Sequence, residues 1–319
     1  MNIVLWTFLV VAGLFGAAYW AGRRNSAKAL AAVPKVGENT PVPGGSIHSI
    51  EAGQGRPVVC IHGLGANLHS LQYALGPILA KEFRTILIDR PGCGYSERDS
   101  AELAPLSEQA KMVAAFLEAK GVEKPILVGH SLGGALSLQL ALDFPDRIGG
   151  LVLLAPATMP IEEPPEIFKP LNIASSGFRN FLGNTMAGAL APFTAEKALK
   201  FVFAPETPPA DFDIKGGAAL GVRPEGFIVA SEDLVAAKPS LEAMSARYGA
   251  LKTPGVMVYG TADNVISADV HGAGFCANAP TIDYEELPGL GHMIPITAAE
   301  TCAEAVRKVA AKTAATVDA

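Results

Sequence analysis

The segment Gly129-His130-Ser131-Leu132-Gly133 follows directly on the apolar run Pro125 to Val128 and precedes a helix-like stretch, Ala135 to Leu142. A serine between two glycines, joining a strand to a helix, implies a sharp turn with a strained backbone. A side chain at either glycine would collide with the neighbouring strand or helix. Such a turn lifts the Ser131 hydroxyl above a sheet and leaves the Leu132 N–H at a helix N-terminus, where the dipole favours negative charge. One short segment thereby demands a strand before it and a helix after it, which points to a layered α/β arrangement.

The rest of the chain agrees. Of 319 residues, half are hydrophobic, and short apolar runs alternate with helix-length segments. That alternation predicts a mostly parallel sheet with helices on both faces, and the length suits one large domain with an insertion. Predicted strands are Gly45 to Glu51, Pro57 to Ile61, Thr85 to Asp89, Ile126 to Val128, Gly150 to Leu154, Val256 to Tyr259 and Ile282 to Leu287.

Three further motifs lie at strand ends. Pro57 to Ile61 runs into His62-Gly63-Leu64-Gly65, a small-residue turn able to present the N–H of Leu64. Val256 to Tyr259 ends in Gly260-Thr261-Ala262-Asp263, and Ile282 to Leu287 precedes Pro288-Gly289-Leu290-Gly291-His292. Serine, aspartate and histidine thus follow one another in the chain. At these residues the sequence resembles the α/β-hydrolase superfamily, over about Gly45 to Lys312. Asp89-Arg90-Pro91-Gly92-Cys93-Gly94-Tyr95-Ser96 resembles a turn of related hydrolases and is read as structural. Many relatives carry a proline shortly after the acid, where this chain has Asn264-Val265-Ile266-Ser267.

The chemistry follows from the residue types. A serine hydroxyl needs a base to take its proton during attack, and His292 is the candidate. Asp263 would hold the imidazole in the required tautomer. The amides of Leu64 and Leu132 would stabilise the tetrahedral oxyanion. This scheme calls for no cofactor and no metal. Taken alone, Asp263 could cap a helix beginning near Ser267 and His292 could satisfy a loop carbonyl; their order and spacing favour the catalytic reading. His62 and His130 read as structural or pocket-lining, and His48, His69 and His271 have no partner that the sequence names.

Between Ala155 and Val256 lies a segment too long for a simple crossover and studded with prolines, which predicts short helices such as Phe178 to Leu190 and Ala195 to Phe203. The resemblance implies a helical cap at residues 158–229, with hydrolase core at 44–157 and 230–319. Phe178, Phe181, Met186, Phe193, Phe201 and Phe203 are candidates for shaping the substrate pocket, although aromatic residues at helical spacing are more often ordinary packing.

Ile3 to Ala21 contains no charged residue, and this is close to the roughly 20 residues that cross a bilayer as a helix. Trp6, Tyr19 and Trp20 fall near its ends, and Arg23, Arg24 and Lys28 follow it directly. Positive residues remain on the cytoplasmic side. Residues 1–24 therefore read as an uncleaved single-pass anchor holding the hydrolase domain in the cytoplasm, with 25–43 as a linker. The competing reading is a signal peptide cleaved near Ala29-Leu30-Ala31, giving an exported protein. Residues 1–40 carry four Lys or Arg and one Glu, a net +3, which leaves −9 for the remainder of a chain whose formal charge is −6. An acidic body disfavours nucleic acid as a partner. Cys60, Cys93, Cys276 and Cys302 show no metal-ligand spacing and fit free thiols, with a Cys276 to Cys302 bridge as the alternative and Cys93 in a turn that could expose it.

The leading expectation is a membrane-tethered serine hydrolase that cleaves lipophilic carboxylic esters, a carboxylesterase or lipase-like enzyme. The same fold and triad also serve C–C bond hydrolases, thioesterases, amidases and cofactor-free perhydrolases. Haloalkane dehalogenases and epoxide hydrolases resemble this chain but carry aspartate where it has Ser131. A non-catalytic ligand-binding member of the fold is the alternative of a different class.

Overall fold

A computed structural model describes residues 2–314. The strands are β1 (Glu38–Val42), β2 (Gly45–Ala52), β3 (Pro57–Ile61), β4 (Arg84–Ile88), β5 (Glu97–Arg98), β6 (Ile126–His130), β7 (Gly150–Leu154), β8 (Gly255–Gly260) and β9 (Ile282–Leu287). Among the described residues they form one nine-stranded sheet in the order β1-β2-β4-β3-β6-β7-β8-β9, with β5 paired to β2. From β4 to β9 every neighbouring pair is parallel, whereas β2 runs antiparallel to β1 and β4. Strands β6, β7 and β8 are buried at every residue. Covered on both faces, they read as continuous apolar runs rather than alternating ones.

The main helices are α1 (Asn2–Ala32), α2 (Leu106–Ala119), α3 (Leu132–Asp143), α4 (Ser176–Leu182), α5 (Gly188–Phe203), α6 (Pro224–Ser245) and α7 (Ala299–Ala314). Helix α3 is buried from Leu132 through Ala141, which is why its sequence is apolar all round. Helix α2 packs on α3, and α7 packs against β6, β7 and β8.

The segment between β7 and β8 is a helical insertion, and its helices differ from those expected. Helix α4 passes through a π turn at Gly183–Ala187 straight into α5, so residues 176–203 are helical without a break. Pro192 lies inside α5 and does not end it. A proline lacks the N–H that would bond the carbonyl four residues earlier, which here belongs to Gly188. That carbonyl accepts instead from Asn25 Nδ2 of α1, at 3.0 Å.

The expected linker at 25–43 is likewise ordered. Helix α1 continues to Ala32, and β1 occupies Glu38–Val42 at the sheet edge. Gly22, Ser26 and Ala29 form a buried stripe of small residues along one side of α1, which packs against α5 and the turn Ala218–Val222. Tyr95 then hydrogen-bonds the Val33 carbonyl and His48 that of Val36. The rest of α1, from Ile3 to Trp20, is almost wholly exposed, and the helix from Ile3 to Ala32 is long and apolar enough to cross a membrane.

Candidate active site

Ser131 sits between β6 and α3 with φ 54° and ψ −122°. A non-glycine residue in such a region stores about 1–3 kcal/mol of strain and persists only where its surroundings hold it. Here its N–H donates to the Leu154 carbonyl at 3.0 Å, and its carbonyl accepts from Gly134 (2.9 Å) and Ala157 (3.1 Å). The flanking glycines are required by contact. A Cβ at Gly129 would lie 2.4 Å from Ser137 Oγ and 2.5 Å from the Gly133 carbonyl oxygen, and one at Gly133 would lie 2.2 Å from the Ile61 carbonyl oxygen. The second clash shows that α3 presses directly on the end of β3.

Asp263 follows β8 and His292 follows β9. The His292 Nδ1–H donates to Asp263 Oδ2 at 2.7 Å, so the neutral ring carries its lone pair on Nε2. The other carboxylate oxygen accepts from the amides of Val265 (2.8 Å) and Ile266 (2.9 Å). Asp263 therefore caps the next turn and orients the histidine at once. Burial opposes its ionisation, but His292 and the two amides outweigh that, and the carboxyl lies below its ordinary value. Ser131 and His292 are both buried. Their side chains are not hydrogen-bonded to each other among the described residues, a looseness common in unliganded sites. His130, the residue before Ser131, donates its Nε2–H to the His292 carbonyl at 3.1 Å, with ring centroids 4.8 Å apart, and so ties the histidine loop to the serine turn. Burial, and then the neighbouring His292 ring, drives the His130 pKa down to about 3, so it remains a neutral spacer.

The turn after β3 supplies the opposite wall. A Cβ at Gly63 would stand 3.0 Å from Ser131 Cβ and 3.4 Å from its Oγ. Among the described residues the amides of Leu64 and Leu132 donate to no protein acceptor, which leaves both available to a ligand beside the serine.

Arg90 was missed by sequence reasoning. Its Nε donates to the His62 carbonyl (3.1 Å), its Nη2 to the Gly63 carbonyl (3.3 Å), and its backbone N–H to His62 Nε2 (2.9 Å). The far side of the guanidinium is held by Asp233 of α6 at 2.8 Å and Gln109 at 3.1 Å. His62 in turn donates from Nδ1 to the Gly63 carbonyl. Burial and then the neighbouring Arg90 charge lower its pKa to about 4. Asp89, as expected, is structural: it accepts from the Leu68 and Tyr95 amides and from His48 Nδ1. His48 thus has a partner, as does His271, whose Nδ1 accepts from the amides of Thr158 (3.0 Å) and Met159 (3.1 Å). His69 Nε2 is buried with no partner among the described residues.

The insertion closes over the histidine loop. Glu206 accepts the Gly291 N–H, and Phe203, Phe212 and Met293 form a small buried cluster beside His292. Of the aromatic residues expected to shape the pocket, Phe203 alone is buried; Phe178, Phe181 and Phe193 are exposed. All four cysteines are free, and Cys93 is buried rather than at the surface, which pushes its thiol up to about 12.

Residues 56–299 match the family described as alpha/beta hydrolase fold. The chain belongs to that family. This α/β-hydrolase is 29% identical to the 2-hydroxy-6-oxo-6-phenylhexa-2,4-dienoate hydrolase of Burkholderia cepacia, over 77% of this chain and 84% of that one. Among solved structures it is similar to a thermophilic esterase from Thermogutta terrifontis, with a TM-score of 0.71, 21% identity, and 86% of this chain and 99% of that one covered. An enol-lactonase from Burkholderia xenovorans gives a TM-score of 0.69 at 21% identity, with 86% and 100% covered. At such identities the structural likeness speaks for the fold alone.

Proposed function

We propose that this hydrolase is a serine enzyme that cleaves uncharged, lipophilic carboxylic esters through an acyl-enzyme. Ser131 attacks the ester carbonyl; as the Oγ–C bond forms, its proton passes to His292 Nε2. The amides of Leu64 and Leu132 hold the oxyanion, and loss of one such donor lowers turnover by a factor of about 100–1,000. Collapse of the intermediate breaks the bond to the alcohol oxygen, which takes the proton from His292. Water, giving its proton to His292, then attacks the acyl-enzyme; the second collapse breaks the Oγ–C bond, His292 returns the proton to Ser131 Oγ, and the acid is released. The observation that carries this reading is the Asp263–His292 bond of 2.7 Å, because it leaves Nε2 as the basic atom.

A second reading, C–C bond hydrolysis, is favoured by the names of the curated relatives, among them the hydrolase of Burkholderia cepacia. Those substrates are carboxylates, and a buried carboxylate needs a cation. Arg90, Arg98 and Arg179 are each paired with Asp233 or Glu232, and Arg223 donates to the carbonyls of Leu220 and Gly94. Their engagement is why we place the neutral ester first. The insertion at residues 158–229 would act as the cap that sets acyl length.

Helix α1 would serve as an uncleaved single-pass anchor, with the catalytic domain on the cytoplasmic side where Arg23, Arg24 and Lys28 lie. Cleavage near Ala29 would strip Gly22, Ser26 and Ala29 from their buried positions, which argues against the signal-peptide alternative.

The test is fluorophosphonate labelling of detergent-solubilised protein, with Ser131→Ala and Asp263→Asn alongside, followed by p-nitrophenyl esters of rising acyl length and by 2-hydroxy-6-oxo-6-phenylhexa-2,4-dienoate. Stoichiometric labelling that vanishes in Ser131→Ala, with ester turnover far above dienoate turnover, is the expected result. Faster dienoate cleavage would move the C–C reading ahead, and a folded protein that does not label would overturn the serine mechanism.

A further inference from the structure

Taking α1 as a membrane span, we propose that the insertion helix, residues 176–203, lies in the surface of the same bilayer, with Phe178, Phe181, Leu190 and Phe193 seated among the acyl chains. This goes beyond an anchor on a tether: the catalytic domain itself would dip into lipid.

The geometry leaves little freedom. Phe15 belongs to the uncharged stretch of α1, and about 12 Å of helix separates it from Arg23 at about 1.5 Å per residue. Its ring lies 5.3 Å, centroid to centroid, from that of Phe181 in α4. Wherever Phe15 sits inside the bilayer, Phe181 sits beside it. A turn or two further along α1 the approach becomes closer still, since a Cβ at Gly188 would come within 3.1 Å of Gly22 Cα. Close packing through small residues spaced like Gly22 and Ser26 is a usual way for helices to associate in membranes. The Asn25 to Gly188 bond fixes the register at the same crossing. The Phe15 contact thus lies in the part of α1 that enters the membrane, and the Gly22 and Asn25 contacts hold the insertion to its cytoplasmic end.

Surface chemistry supplies an independent argument. From Asn180 through Ala195 the chain carries no charged residue. Arg179, just before that stretch, is buried and turned inward to Glu232 at 3.5 Å. Phe193 is 82% exposed, and Phe178, Phe181 and Leu190 are also exposed. A helix facing water normally carries charge on its outer side. From Phe181 to Phe193 the exposed residues are apolar apart from Asn184, and exposed charge returns only at Glu196, Lys197 and Lys200; beside a membrane span, such a segment suits the interface, with its apolar side chains among acyl chains. Helix α5 then leads from Phe193 to Phe203, which packs with Met293 next to His292. A lipid-dissolved ester would reach the site from the side where it is most concentrated.

The experiment uses the full chain at one copy per nanodisc, which also excludes a second copy as the covering partner. Trp6 and Trp20 are replaced by Phe, and Phe193→Trp, or in a second protein Leu190→Trp, supplies the sole tryptophan, excited selectively over tyrosine. A protein with Trp6 as its sole tryptophan reports on the anchor. Dibrominated phosphatidylcholine should remove at least half of the emission of the tryptophans at positions 193 and 190, with a blue shift relative to a water-exposed indole. Emission from both that is unaffected by brominated lipid, while that of Trp6 is quenched, would overturn the proposal and leave the anchor standing. Loss of quenching at all three positions would overturn both.

Discussion

Asn25 Nδ2 donates to the carbonyl of Gly188 across 3.0 Å, and that carbonyl is the one to which Pro192 can offer no N–H. The two features fit each other: a proline opens the helix ladder at the point where a side chain from another helix closes it. Asn25→Leu should leave the Gly188 carbonyl unpaired in a poorly hydrated place, at a cost of about 1–3 kcal/mol. Lower thermal stability in detergent and faster amide exchange in the middle of α5 are the expected readouts. Adding Pro192→Ala to Asn25→Leu restores an intrahelical donor, so the double variant should recover most of the lost stability. If it does not, the side-chain bond is not what satisfies this helix.

Arg90 and Asp233 illustrate a second long-range dependence, from the far side of the fold to the turn beside Ser131. Asp233 accepts from Arg90 at 2.8 Å and from Arg98 at 2.7 Å, all three side chains being buried. Removing one partner of a buried pair typically costs about 3–5 kcal/mol, because the other charge is left uncompensated. Asp233→Leu strands Arg90 and leaves Arg98 with Glu232 alone, whereas Arg90→Met leaves Asp233 still paired with Arg98, so Asp233→Leu should be the more destabilising. Arg90→Met also releases the carbonyls of His62 and Gly63, which places it among residues that position the turn rather than touch the substrate. Its kcat should fall with KM little changed, and Arg90→Lys should restore part of the stability but less of the turnover, since a lysine cannot span both carbonyls and Asp233.

The parts legible in the sequence are those whose signals are local. Pro57 to Ile61 and Gly150 to Leu154 emerge as strands with the expected bounds because central parallel strands are apolar throughout, and Ile282 to Leu287 does so as a half-exposed edge strand. The serine turn is readable because its glycines answer contacts within a few residues. Glu38–Val42 escaped notice because it is an edge strand, polar and containing Pro41, a residue tolerated only where no ladder partner is lost. The insertion was misjudged at Pro192, since the group that makes a proline tolerable there comes from Asn25. The partner of Arg90 lies 143 residues away, and no pattern near Arg90 announces it. Phe178 and Phe193 look like core residues by type and are exposed, because among the described residues no element of the fold packs over that side of the insertion.

Acid should weaken the fold through its buried histidines before it reaches the carboxylates. His62 and His271 have their pKa lowered from 6.5 to about 4, and His130 to about 3, chiefly because burial disfavours the charged ring. The unfolded chain takes up protons near pH 6.5, while the folded chain does not until about pH 4. Their contribution is thus complete above pH 6.5 and lost as pH falls toward 4. Asp89 and Asp263 are held below their ordinary 3.8, so what they contribute is lost only at still lower pH. At pH 5 each neutral histidine costs about 2 kcal/mol relative to pH 7. His271→Asn isolates one of them, because an amide oxygen can accept from Thr158 and Met159 as Nδ1 does but does not titrate. The melting temperature of the wild type should drop between pH 7 and pH 5, and that of His271→Asn should drop by less. An equal drop in both would mean that His271 is protonated in the folded protein, and that the two amides are not its partners.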